Sequence, residues 1–289
     1  MNILKKENLQ SIEGLLLLAR QQVSGFLQSI HHSQHTGAGQ EFSQYRAYQI
    51  GDDLRQLDWK MYARSDRFYV KEAEQERNHQ IHFLVDATAS MQHTENEISK
   101  LDFARYLTAT LAYLAYQQKD TLALSTIQSE NCQYHPLPNA NQLQHLLNHL
   151  VQTNAQGKWT KNLKNTQKNK AQLLVVISDL HEEKTEIQET LQQLNTRQTE
   201  IIVFHLMTQK EINFDYKGTP IFENLESGKK VSVNIKEYRE TYLAKKEAYI
   251  TKLQNKFRSI NINYQLVNTS ENLSAQLRLF LNRRKRLLA

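Results

Sequence analysis

Residues 81–90, Ile81-His82-Phe83-Leu84-Val85-Asp86-Ala87-Thr88-Ala89-Ser90, decide how this chain reads. An apolar run ends in a carboxylate, and two hydroxyls follow at alternate positions. A buried strand that stops at an acid and then turns carries Asp86, Thr88 and Ser90 to the carboxyl end of a sheet. Ligands of open α/β sheets bind at that end. One carboxylate and two hydroxyls in a short loop suit a hard, oxygen-seeking cation such as Mg²⁺. The same residues can also do no more than cap a following helix.

Working outward, strands and helices alternate. Helical periodicity covers 98–118, where Leu101, Ala104, Arg105, Thr108, Leu111, Ala112 and Ala115 recur at three and four. A second strand is predicted at 121–127 and a helix at 142–151. Residues 173–178, Leu-Leu-Val-Val-Ile-Ser, form a third strand, almost uniformly apolar as a strand covered on both faces should be. A helix over 185–194 and a strand at 201–206 follow. Residues 221–224 and 231–235 flank Ser227-Gly228-Lys229 and read as a short hairpin. A long helix over 236–259, a strand at 262–267 and a helix over 271–288, with Ser270 as its cap, complete the pattern. The expected fold is α/β: a doubly wound, mostly parallel sheet flanked by helices. The domain organisation expected is a segment 1–80 followed by an α/β domain at 81–289.

Composition narrows the function classes. With 39% hydrophobic residues, the 289-residue chain can bury a substantial core. No apolar run approaches the ~20 residues of a membrane span or the centre of a signal peptide, which points to the cytoplasm. A single cysteine, Cys132, excludes an internal disulfide and a cysteine-clustered zinc site. The net charge is +6, with Arg278, Arg283, Arg284, Lys285 and Arg286 near the end. Such a tail is either the solvated last turns of a helix or an attractor of nucleic acid or anionic membrane.

Residues 1–80 read differently: a helix over 7–30, then a polar, His-containing stretch, then irregular or extended chain. His31, His32 and His35 have no carboxylate neighbour, and no His-Glu-x-x-His pattern occurs, so a histidine metal site is not expected. The stretch 154–170 is polar, rich in Lys and Asn, and reads as an exposed loop.

Gly39-Gln40-Glu41-Phe42, then Arg46-Ala47-Tyr48-Gln49-Ile50-Gly51-Asp52-Asp53-Leu54-Arg55-Gln56-Leu57-Asp58-Trp59-Lys60, then Ala63-Arg64, Glu76-Arg77-Asn78 and Asp86-Ala87-Thr88-Ala89-Ser90-Met91 follow in order. This succession resembles the bacterial domain of unknown function 58 family, whose carboxyl-terminal part is similar to a von Willebrand factor type A domain. The resemblance implies a metal-ion-dependent adhesion site, in which Asp-x-Ser-x-Ser, a threonine and a second aspartate hold a divalent cation. A partner's acidic group fills the remaining position. It also implies a MoxR-type AAA+ ATPase as partner and a role in assembling or maturing protein complexes; no chemical reaction is established for the family.

Carried onto this chain, the implied metal ligands are Asp86, Thr88 (in place of the usual serine), Ser90 and Asp179, which ends the apolar strand at 173–178. Thr160, shortly after Gly157, is the implied threonine, with Thr153 and Thr166 as alternatives. His181 and Glu182 are expected to surround Asp179. The segment 51–60 has two readings. Asp52, Asp53, Arg55 and Asp58, bonded by Arg46, Arg55 or Arg64, can form a charge-paired turn with Trp59 as its apolar anchor. Alternatively Arg46, Asp52, Asp53, Arg55, Asp58 and Trp59 form a partner-binding surface, since Trp and Arg are favoured hot spots.

The rival to a binding module is a Mg²⁺-dependent phosphohydrolase or nuclease. A haloacid-dehalogenase-type phosphatase wants an aspartate two residues after its nucleophile, where this chain has Thr88. Two-metal nucleases need more converging acids than Asp86 and Asp179. No phosphate-cradling Gly-x-x-x-x-Gly-Lys-Ser/Thr occurs.

Overall fold

The structure, a computed structural model, describes residues 4–34, 45–49, 57–71, 79–138, 140–160, 172–181 and 186–288. In chain order these form α1 (Lys6–Leu9), α2 (Ile12–Gln34), β1 (Tyr45–Ala47), α3 (Trp59–Ser65), β2 (Tyr69–Lys71), β3 (Gln80–Asp86), a 3-10 turn (Ala89–Gln92), β4 (Thr94–Glu95) and β5 (Ile98–Ser99). Then come α4 (Lys100–Gln117), β6 (Thr121–Gln128), β7 (Asn131–His135), α5 (Gln142–Gln152), β8 (Leu173–Ser178), α6 (Glu186–Leu194) and β9 (Glu200–Met207). The chain closes with α7 (Gln209–Asn213), β10 (Ile221–Glu223), β11 (Lys230–Ser232), α8 (Ile235–Ser259), β12 (Ile262–Asn268) and α9 (Leu273–Leu288).

Six strands make one sheet in the order β12-β9-β8-β3-β6-β7. All neighbours are parallel except β7, which returns antiparallel to β6 and ends the sheet. This is the doubly wound architecture that the alternation of strands and helices predicts. The chain leaves β3 for β6 on one side, then crosses to β8 on the other. The carboxyl ends of β3 and β8 therefore flank a topological switch point, where such sheets open a crevice.

Both faces are covered because the central strands are apolar on both sides. Phe83, Val85, Val175 and Ile177 pack with Leu15, Leu18, Leu107, Leu146 and Phe280 on one face. Leu84, Leu174, Val176 and Val203 pack with Ile187, Leu191, Leu253 and Phe257 on the other. Truncating a residue such as Leu84 or Leu107 to alanine costs about 2–5 kcal/mol.

The chain forms two compact units, Leu27–Asn78 and the remainder. The amino-terminal helices open the larger unit: Leu9, Leu15 and Leu18 lie in its core, so this unit begins well before residue 81. The single helix predicted over 7–30 is broken at Gln10–Ser11, where the Ser11 hydroxyl accepts from the Gly14 N–H at 3.2 Å. In the smaller unit, β1 and β2 pair antiparallel, and Tyr62 stacks on Phe68 with ring centroids 4.4 Å apart.

The remaining differences from the sequence reading are local. Residues 98–99 belong to β5, and α4 starts at Lys100 because Ser99 and Asp102 form a capping box. Ser270 does not cap α9: its hydroxyl donates to Glu95 Oε2 at 2.8 Å, and Asn272 Oδ1 accepts from the Ala275 N–H at 3.2 Å instead.

Candidate metal centre at the strand ends

The register sets Val85 beside Ile177, so β3 and β8 finish together at Asp86 and Ser178. The Ser178 hydroxyl donates to Asp86 Oδ2 at 2.6 Å, and the Thr88 N–H donates to Asp86 Oδ1 at 2.9 Å. The hydroxyls of Thr88 and Ser90 lie 3.0 Å apart. Ser90 Oγ then donates to Asp179 Oδ1 at 3.1 Å. Four of the five residues named from sequence thus form one buried, hydrogen-bonded chain running from β3 to the loop after β8.

The fifth, Thr160, is buried on the neighbouring loop. That loop is locked to the Asp86 loop by Gln156 N–H to Ala87 O at 2.8 Å and Ala89 N–H to Gly157 O at 2.9 Å. Gly157 is required here. Its φ is +68°, and a Cβ would meet Ser129 Cα at 2.4 Å. Trp159 anchors the same loop in the core. Thr153, the alternative, donates its hydroxyl to His149 O at 2.7 Å and so closes α5. Thr166 and Glu182 lie outside the described residues. The His181 N–H donates to Asp179 Oδ1 at 3.2 Å.

One member of the site was not named from sequence. Lys100, the first residue of α4, is 4% exposed. Its ammonium donates to Asp179 Oδ2 at 3.0 Å and to Glu211 Oε1 at 2.7 Å. Burial opposes the charge of Lys100, but the two carboxylates overcome it and raise the pKa. Burial alone would raise Asp179 too; Lys100 and His181 hold it below the ordinary carboxylate value. Among the described residues, no cation acts on Asp86 in the same way. Burial, then the negative charge of Asp179, push it up to about 7 against the hydrogen bonds from Ser178 and Thr88. A hidden lysine gives no periodic or motif signal; its place beside a capping serine was the only clue.

The donor chemistry fits a hard divalent cation: two carboxylates and two hydroxyls, all oxygen. Asp86, Thr88, Ser90 and Asp179 would hold the ion, which would act as a Lewis-acidic anchor for an incoming carboxylate. Among the described residues, no group of three or more His, Cys, Asp or Glu is arranged to hold a metal; the hydroxyls are essential to the fit.

The proposed partner surface is only partly on view. Asp58 caps α3, accepting from the Lys60 and Met61 N–H groups at 2.9 and 3.1 Å. Trp59 is 61% exposed and meets Tyr62 edge-on; it is no buried anchor. The Arg46 side chain and residues Asp52, Asp53 and Arg55 lie outside the described residues. Among the described residues no helix is long and apolar enough to cross a membrane.

Comparison with known proteins adds three findings. The chain is 30% identical over 104 residues to the uncharacterized protein Mb1516 of Mycobacterium bovis and to the uncharacterized protein Rv1480 of Mycobacterium tuberculosis. The match covers 36% of this chain, and the chain spans about a third (33%) of the length of these curated relatives. Among solved structures, the chain is similar to the conserved hypothetical protein BatB from Bacteroides thetaiotaomicron, at 13% identity and TM-score 0.44, covering 73% of this chain and 100% of that one. It is also similar to the SpRpn10 VWA domain, at 10% identity and TM-score 0.38, covering 71% and 94%. The sequence family described as protein of unknown function DUF58 matches residues 44–251, so this chain is a member of the DUF58 family.

Proposed function

We propose that this chain is a non-catalytic protein-interaction module whose working end is a divalent cation, Mg²⁺ first, held at the carboxyl ends of β3 and β8. Asp86, Thr88, Ser90 and Asp179 hold the ion, and Thr160 from the adjoining loop completes the set. An acidic side chain of a partner takes the outward position. The observation that carries this reading is the buried hydrogen-bonded run from Asp86 through Thr88 and Ser90 to Asp179 at a switch point of the sheet.

The partner class we infer from the family resemblance is a MoxR-type AAA+ ATPase, together with a client protein that offers the carboxylate. An ATP-driven partner places the activity in the cytoplasm. Magnesium keeps several waters and needs only one or two carboxylates, so affinity for the ion alone is modest and rises when the partner's acid joins. A hydrolase reading is disfavoured by what stands beside Asp86. Thr88 stands two residues on, where a general acid would be wanted.

The test has two arms. Mg²⁺ titrated into the wild type raises its unfolding temperature, by mass action on the folded state, and leaves Asp86→Ala unmoved; equal shifts in both would sink the metal site. Affinity purification with Mg²⁺ present then recovers an AAA+ ATPase with the wild type and not with Asp86→Ala. Equal recovery would move the interface to the segment that includes Asp58 and Trp59.

A further inference from the structure

Leu180 turns the chain directly after Asp179 in a way that branched residues avoid. Its φ is +48°, in the left-handed region where a Cβ crowds the following carbonyl. The residue is 2% exposed and belongs to the same core cluster as Ile187 and Leu253. Such a conformation persists only where its surroundings over-determine it, and it marks places whose geometry matters. Two bonds hold this one. The Leu180 N–H donates to Ser178 Oγ at 2.9 Å, the same hydroxyl that donates to Asp86. The Leu180 carbonyl accepts from the Tyr249 hydroxyl at 3.0 Å.

Tyr249 belongs to a stripe of donors on α8. Arg239, Tyr242, Lys246 and Tyr249 recur at three and four residues, so they share one face of the helix. A face that only packed would be apolar there. This one presents four donors, and each ends on a backbone carbonyl. The Tyr242 hydroxyl donates to Glu211 O at 3.1 Å, the Lys246 ammonium to Ile212 O and Arg239 Nη2 to Asn213 O at 3.3 Å. These three consecutive carbonyls lie in the last turn of α7, where the helix itself supplies no further donor. The stripe thus grips two places at once, with Tyr242 and Tyr249 about 10 Å apart along the helix axis. Both places lead to Asp179. Glu211 of α7 accepts from Lys100, which donates in turn to Asp179 Oδ2, and Leu180 is the next residue in the chain.

We propose that this stripe positions Asp179: Tyr249 latches the strained turn that follows the carboxylate, while Tyr242 fixes α7 and, through Glu211 and Lys100, secures Asp179 Oδ2. Both tyrosines are positioning residues, acting through Asp179 rather than on the ion. The inference rests on the reading that Asp86 and Asp179 hold a cation. Asp179 lies in a loop beyond the end of β8, and a ligand has to be placed to within about 0.5 Å to be useful. α8 is anchored in the core at Leu253 and Phe257. Its donors carry the rigidity of that core out to the loop.

Mn²⁺ is the probe, on the full chain as wild type, Tyr249→Phe, Tyr242→Phe, the double variant, Tyr238→Phe and Asp86→Ala. Phenylalanine keeps each ring and removes only the hydroxyl. Dissociation constants are measured well below each unfolding midpoint, so a loss of stability alone does not move them. Tyr249→Phe and Tyr242→Phe are each expected to bind Mn²⁺ about threefold more weakly, and the double variant about tenfold. Tyr238 lies on the same helix and is 55% exposed; Tyr238→Phe is the control and binds as the wild type does. A second readout needs no metal: hydrogen exchange at the Leu180 and His181 amides should quicken in Tyr249→Phe, because the turn opens more often. Wild-type affinity in the double variant, with binding lost in Asp86→Ala, would overturn the positioning role and leave the metal site standing. Equal weakening in Tyr238→Phe would overturn it too, since loss of any hydroxyl on α8 would then suffice. Absence of Mn²⁺ binding by the wild type would overturn the site and the positioning role together.

Discussion

Asp86 ends β3 and Asp179 lies one residue past the end of neighbouring β8; both are buried, yet their electrostatics are opposed. Asp179 faces the ammonium of Lys100 and stays ionised. Among the described residues Asp86 receives hydrogen bonds and no cation, and burial beside another carboxylate pushes it up to about 7. Proximity along the sheet therefore does not fix the charge of an acid. One buried cation on the first turn of α4 divides two like groups into a committed anion and one still open to a positive ligand.

The contrast can be broken most severely at Lys100. Lys100→Met leaves Asp179 and Glu211 facing each other without their shared cation, and removing one partner of a buried pair costs about 3–5 kcal/mol. Urea unfolding without divalent cations should show this loss. Mg²⁺ should restore more stability to this variant than it adds to the wild type, since a second source of positive charge then becomes indispensable. A variant as stable as the wild type would mean that the pair is not the source of the asymmetry.

A titration sharpens the other half. The folded-state pKa of Asp86 lies above its ordinary value of 3.8, so the folded state holds a proton that the unfolded chain releases. The associated stability is present in full below the ordinary value and is lost as pH rises through about 7. Without divalent cations, wild-type stability should fall over that window by on the order of 2 kcal/mol more than Asp86→Asn does. Saturating Mg²⁺ should remove the decline, because it favours the ionised form. Parallel curves for the two proteins in chelator would refute the assignment.

The smallest effect belongs far from this pair. Trp59 is mostly exposed, so Trp59→Ala should change stability by no more than about 0.5 kcal/mol, measured by the same unfolding curves. A larger loss would return Trp59 to the role of anchor.

What the sequence disclosed follows from where its signals are local. Uniformly apolar runs marked β3 and β8, and the acids that end them marked the crevice, because burial on both faces and chain reversal each leave a mark in adjacent residues. β7 is a short edge strand whose inward residues include Cys132 and His135; with only five residues, its alternation is too brief to stand out. α7 has five residues, fewer than two helical turns. The cap of α9 passed from Ser270 to Asn272 because Glu95, far away in sequence, takes the Ser270 hydroxyl. Lys100 was hidden for the same reason. Its importance comes from being folded against Asp179, and nothing next to it in the chain records that.

Gly157 limits how this mouth can rearrange. Two backbones cross there with no room for a methyl group, and the rung from Ser129 N–H to Gln156 O at 2.9 Å rivets the crossing. That side behaves as a fixed jaw.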